Sequence, residues 1–228
     1  MAIAYNTSIV RDGLVLYLDA ANKKSYSGTG TAWNDLRGAT NTAELVNSPT
    51  FNSSNAGYFE FVTDDFARMQ NDTSLDAQSP TVEVWVKTNS LTQNGFFFEK
   101  GTVNTQYSLF QEGTTLRWRM NLVSIGINTL SITSSNFLNT DSWFQIVGTY
   151  TSGDRRIYIN GVQVAADTQT GTINTNSGGM SVGVYGGYAG SRGYYYNGNL
   201  SSVKVYNRAL SATEIQQNFN ALRGRYNV

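Results

Sequence analysis

"RRIYINGVQV", residues 155–164, sets Asn160 and Gly161 between two short runs in which apolar and polar residues alternate. Asn-Gly tolerates the positive φ that both central positions of a type I′ turn require, and the twist of that turn matches the twist of the strands it joins. The stretch reads as a tight β-hairpin holding Ile157, Ile159, Val162 and Val164 in a register fixed by the turn. The same period of two recurs in "TVEVWVK" (81–87), where Val82, Val84 and Val86 share one face and Thr81, Glu83, Trp85 and Lys87 the other.

Working outward, strands are expected at "GLVLYLD" (13–19), "GYFEFV" (57–62), "GFFFEK" (95–100), "YSLFQE" (107–112) and "TLRWRMN" (115–121). Others are expected at "WFQIVGTY" (143–150), "GMSVGVYG" (179–186) and "LSSVKVYN" (200–207). About ten short strands separated by frequent turns favour an all-β sandwich or barrel. One helix is signalled, in "SATEIQQNFNALRG" (211–224). Ser211 and Glu214 make a capping box, Ile215, Phe219 and Leu222 an apolar stripe, and Gly224 the expected end. No linker, charge block or internal repeat breaks the chain, so one domain over residues 1–228 is expected.

Composition removes whole classes of chemistry. The 228 residues contain no Cys and no His, which excludes disulfides, Cys/His zinc sites, Ser-His-Asp triads and imidazole switches. Lys+Arg and Asp+Glu number 16 each, a balance that argues against a nucleic-acid partner. No apolar run reaches the roughly 20 residues that span a bilayer, and "MAIAYNTSIVRDG" lacks the pattern of a secretory signal. No membrane insertion and no Sec export are therefore expected.

Three stretches carry a family resemblance: "WFQIVGTYTSGDRRIYINGVQV" (143–164), "YFEFVTDDFARM" (58–69) and "GNLSSVKVYNRALSATEIQQNFNALRGRY" (198–226). Together they resemble the laminin-G-like, concanavalin A-like lectin/glucanase superfamily. The resemblance implies a two-sheet antiparallel jelly-roll sandwich with one short C-terminal helix. "GLVLYLDAANKKSYSGTGTAWNDLRG" (13–38) and the "NALRGRY" ending are most similar to versions found in virion proteins of tailed phages. That implies a virion setting, with other virion proteins or further copies of the chain as partners. One departure stands out: where family members often have Gly before an Asp-Asp pair, this chain has Val62 and Thr63, and Phe66 replaces the usual Tyr.

Candidate chemistry is sparse. The E-x-D-x-(x)-E string by which the glucanase branch places two carboxyls is missing, and Glu83, Glu99 and Glu112 stand alone on their strands, read as solvated faces. No catalytic residue is assigned. Asp64 and Asp65 are the candidate metal ligands, with calcium the hard cation that oxygen donors would hold; a turn-capping role is the alternative. "GVYGGYAGSRGYYYNGN" (183–199) sets Tyr185, Tyr188, Arg192, Tyr194, Tyr195 and Tyr196 among glycines, a combination suited to a ligand or partner surface. In the alternative, Tyr194 and Tyr196 point into the sandwich. Trp33, Trp85, Trp118 and Trp143 are core candidates, and Arg117 and Arg119 read as a solvated face, with an anion site as the alternative. The expectation is a non-enzymatic recognition or structural protein: a phage decoration or adhesion module, or a calcium-assisted lectin that reads a cell-surface glycan.

Overall fold

A computed structural model of the chain describes residues 8–38, 41–54, 57–101, 105–187 and 192–228. The first half of the chain supplies β1 (Leu14–Asp19), β2 (Ala32–Asn34), β3 (Thr42–Val46), β4 (Thr50–Asn52), β5 (Tyr58–Phe61), β6 (Phe66–Met69), β7 (Thr81–Thr88) and β8 (Gly95–Gly101). The second half supplies β9 (Thr105–Glu112), β10 (Thr115–Leu122), β11 (Gly126–Thr133), β12 (Phe144–Thr151), β13 (Asp154–Ile159), β14 (Val162–Asp167), β15 (Met180–Val182) and β16 (Gly198–Tyr206), followed by α1 (Ala212–Tyr226).

The strands form two eight-stranded antiparallel sheets, a jelly-roll sandwich. The first runs β14-β13-β12-β7-β16-β5-β4, with β1 also paired to β16; the second runs β11-β10-β9-β8-β15-β6-β3-β2. Apolar residues from alternate positions of both sheets meet between them, among them Val82, Val84, Ile146 and Ile157 from the first and Phe98, Leu109, Trp118 and Met120 from the second. All four tryptophans are buried. Trp118 donates from Nε1 to the Thr149 carbonyl at 2.9 Å, tying the second sheet to β12 of the first.

The opening hairpin is present as β13 and β14. Asn160 and Gly161 take φ of 50° and 79°, and Asn160 is anchored to β12 by bonds with the backbone of Gln145. Ile159 faces Val162, as the turn dictates, and a bulge between Ile157 and Tyr158 then shifts the register so that Ile157 faces Ala165.

Helix α1 covers the outer face of the first sheet. Ile215, Phe219 and Leu222 are buried there as the stripe predicts, with Trp85 stacked on Tyr226 at 4.1 Å. The capping box of Ser211 and Glu214 is formed. The helix does not end at Gly224, however; it runs to Tyr226, and Asn227 caps it in the left-handed conformation at φ 57°. Arg225 bonds both Asp19 carboxylate oxygens at 2.9 Å and pins the last turn to β1.

Because α1 covers that face, β7 is buried on both sides, and Glu83 is not the solvated strand residue its sequence suggests. Its carboxylate meets Lys204 Nζ at 2.7 Å and Asn218 Nδ2 at 2.7 Å. The strand expected over 179–186 shortens to Met180–Val182, since Gly183 turns the backbone to φ 87°. Beyond Gly183, Tyr185 and Tyr194 lie against Phe96 of β8, on the outer face of the second sheet.

Candidate binding site

That outer face is built by alternation. On β10, Leu116, Trp118 and Met120 point into the core and Arg117 and Arg119 away from it; on β9, Tyr107 and Leu109 point in and Ser108 and Phe110 out. A bulge in β8 lets Phe97 and Phe98 both join the core while Phe96 turns outward and stacks on Phe110, with ring centroids 4.3 Å apart. Arg119 lies over Phe110 at 4.2 Å and over Phe96 at 5.7 Å. The guanidinium is thus half-buried on an aromatic floor, not on the solvated face expected for the Arg117/Arg119 pair.

The glycine-rich segment supplies the opposite wall. Tyr185 and Gly193 exchange backbone bonds of 3.0 and 3.3 Å, and Phe96 N–H donates to the Tyr194 carbonyl at 3.2 Å. These bonds set Tyr185 at 5.1 Å and Tyr194 at 6.4 Å from the Phe96 ring, with the two tyrosines in edge contact at 6.3 Å. Phe96, Phe110, Gln111, Glu112, Arg119, Tyr185 and Tyr194 enclose a cleft of about 190 Å³. Tyr194 is 49% exposed at its mouth.

Glu99 lies beneath the segment and is fully buried, a second correction to the solvated-face reading. It accepts from Thr105 Oγ1 at 2.5 Å and from Gly186 N–H at 2.6 Å. Burial pushes its carboxyl up to about 7, against the opposing pull of those two bonds and of Arg119. Burial likewise lowers the Arg119 guanidinium, with Glu112 pulling it back, and raises Tyr185. Glu112 itself pairs with Arg117.

The six predicted surface residues do not converge on one place. Tyr185 and Tyr194 wall the cleft. Arg192 stacks instead on Phe66 at 4.9 Å, and Tyr195 lies 6.4 Å from the same ring. Tyr196 is fully buried against Phe97 and bonds the Lys87 carbonyl, so it is a core residue and no part of a surface. Tyr188 lies outside the described residues. Phe96 and Phe110 are not signalled by the sequence, and Arg119 is signalled only through the alternative reading of its pair as an anion site. The outward turn of Phe96 depends on a bulge, and "GFFFEK" carries no alternation that announces one.

Asp64 and Asp65 form the corner where the chain passes from β5 in the first sheet to β6 in the second. Asp65 is buried and accepts from Val62 N–H at 3.1 Å, while the Asp64 carbonyl accepts from Asn47 at 2.9 Å. Burial raises the Asp65 carboxyl, that amide opposes the rise, and the Asp64 charge adds to it. Among the described residues no third carboxylate joins them in a metal-sized group. A larger recess of about 630 Å³, lined by Arg11, Tyr17, Lys24 and Arg37, opens beside β1. It is bordered by Ile9, the second of the described residues, and Arg37 is already paired with Asp35.

A family model described as the concanavalin A-like lectin/glucanases superfamily matches residues 61–216. The chain belongs to that superfamily. Among solved structures, this concanavalin A-like chain is similar to the binding domain of botulinum neurotoxin DC in complex with rat synaptotagmin II. That match has TM-score 0.70 and 14% identity, over 92% of this chain and 52% of that one. It is also similar to the DC binding domain in complex with SialylT, with TM-score 0.70, 16% identity and coverage of 92% and 52%. A third match is the serotype D binding domain, with TM-score 0.69, 17% identity and coverage of 91% and 51%. The chain spans about half the length of these structures. Comparison with curated protein sequences finds no match.

Proposed function

We propose that this concanavalin A-like chain is a non-catalytic recognition module that takes one sugar residue of a glycan into the cleft between Tyr185, Tyr194, Phe96 and Phe110. The observation that carries the reading is the convergence of Tyr185 and Tyr194 over a floor of Phe96, Phe110 and Arg119, since an exposed aromatic face stacks on the C–H face of a sugar while a few polar groups fix orientation. The similar botulinum DC domain is described in complexes with SialylT and with rat synaptotagmin II, which supports a binding role for the shared sandwich. Hydrolysis is disfavoured by the carboxyls present. Glu99 has the raised pKa of a general acid but lies buried beneath Gly186, and Glu112 is held by Arg117.

The test is a glycan array probed with the intact chain, with its Tyr194→Ala variant, and with a chelator present. Saturable binding that Tyr194→Ala abolishes and chelation leaves intact supports the cleft. Binding that only the chelator removes would move the site to Asp64 and Asp65 and make calcium its cofactor.

A second reading is a virion decoration subunit held by protein contacts. It is favoured by β11, an eight-residue edge strand without a charge, which carries exposed Ile127 and is preceded by exposed Val123 and Ile125. A stable oligomer in light scattering, without glycan binding, would support this second reading over the first.

A further inference from the structure

Arg119 has a feature that sugar stacking alone does not use. Its Nε is buried with no acceptor, and among the described residues no carboxylate forms an ion pair with it. The two carboxyls nearest in the site are committed elsewhere: Glu112 to Arg117, and Glu99 to Thr105 and Gly186. The guanidinium is instead held by Phe110 and Phe96, a position that fixes it while leaving N–H donors for a ligand. A half-buried guanidinium that forms no direct ion pair at the floor of a cleft is complementary to a single anionic group.

The size and walls of the cleft narrow the ligand further. About 190 Å³ is well below the roughly 300–1,000 Å³ of pockets that enclose a drug-sized molecule, so the site admits one ring-sized unit. An acidic peptide side chain reaching Arg119 would leave the half-exposed Tyr194 ring at the mouth unused. A pyranose carrying an acidic group covers both, its ring on the aromatic wall and its anion on the guanidinium.

Resting on the glycan-binding reading above, we infer that the cleft selects an acidic sugar residue, carboxylated or sulfated, through Arg119. The anion accepts from the Arg119 guanidinium while the ring packs against Tyr194 at the mouth.

Titration calorimetry of the intact chain with matched pairs tests this: trigalacturonic acid against galactotriose, sialyllactose against lactose, and 3′-sulfolactose against lactose. The carboxylated and sulfated arms separate the two sources of the anion. The expected result is that at least one acidic member binds about tenfold or more tighter than its neutral partner. Arg119→Gln is expected to bring the pair within about twofold, and Tyr194→Ala to weaken both members. Arg119→Lys, which keeps the charge, retains part of the preference and serves as the second variant should Arg119→Gln fail to fold by near-ultraviolet circular dichroism. Equal binding of neutral and acidic sugars, or a preference that survives Arg119→Gln, overturns the inference and leaves the glycan reading standing. Binding of a glutamate-rich peptide with no binding of any sugar overturns both.

Discussion

Glu83 and Lys204 face each other across the β7–β16 ladder, carboxylate to ammonium at 2.7 Å, with neither side chain exposed to solvent. Asn218 of α1 donates to the second carboxylate oxygen and to the Tyr206 hydroxyl, and its own carbonyl accepts from Val10 N–H. The ion pair is therefore the centre of the polar contact by which the helix and the amino-terminal segment grip the first sheet.

Removing one partner strands a buried charge. Lys204→Met is expected to destabilise the fold by about 3–5 kcal/mol, the range for a broken buried pair. The double variant Glu83→Gln/Lys204→Met is expected to lose less than the sum of the two single changes, because it leaves no unpaired charge. Urea denaturation of all three variants measures the coupling; strict additivity would mean that the pair does not interact.

Gly148 and Trp118 make a comparable contact between the sheets. A Cβ at position 148 would stand 2.5 Å from the indole Cδ2, and the Nε1 bond to Thr149 holds the ring in place. Gly148→Ala is expected to cost about 1–3 kcal/mol through overpacking. The same substitution in a Trp118→Leu background should cost less, since the obstructing ring is gone; an equal cost would place the strain in the backbone.

Thr63 carries strain of another kind. It sits at φ 51°, a conformation that a β-branched residue adopts poorly, at the corner between β5 and β6. Thr63→Gly is expected to raise stability by roughly 1 kcal/mol, the relief of strain exceeding the added entropy of the unfolded glycine. A drop in the denaturation midpoint would show that the threonine side chain makes a compensating contact.

These positions mark how far the sequence could be read. The long strands, the Asn-Gly hairpin and the capped helix follow from local signals that the structure reproduces at residues 81–88, 154–167 and 211–226. The three-residue strands "AWN" and "TFN" are too short to display a period, and "GINTLSIT" of β11 is an edge strand without a continuous apolar face. The helix passes Gly224 because its last turn is held by Asp19, some 200 residues earlier in the chain. The burial of Glu83 and Glu99 was hidden for the same reason: their partners Lys204 and Gly186 lie 121 and 87 positions away. Half of the cleft was legible, as a tyrosine- and glycine-rich segment. The other half, Phe96 with Phe110 and Arg119, is created by a bulge and by cross-strand stacking that no local pattern encodes.

Glu99 gives the fold a pH dependence whose direction is fixed by its environment. Its carboxyl titrates near 7 in the folded chain, against 4.5 ordinarily, so between these values the folded protein retains a proton that the unfolded chain releases. This group's contribution is fully present below about pH 4.5 and is lost as pH rises through 7, a difference on the order of 3 kcal/mol. Glu99→Gln keeps an acceptor for Gly186 N–H and a donor toward Thr105 but cannot ionise, so it is expected to flatten the stability profile over that window. Because Gly186 carries the Tyr185 wall, the same variant should also make the proposed glycan binding less sensitive to pH between 5 and 8. Denaturation midpoints recorded across this range for both proteins decide the matter: a variant that keeps the full pH slope of the parent would assign the titration to another group.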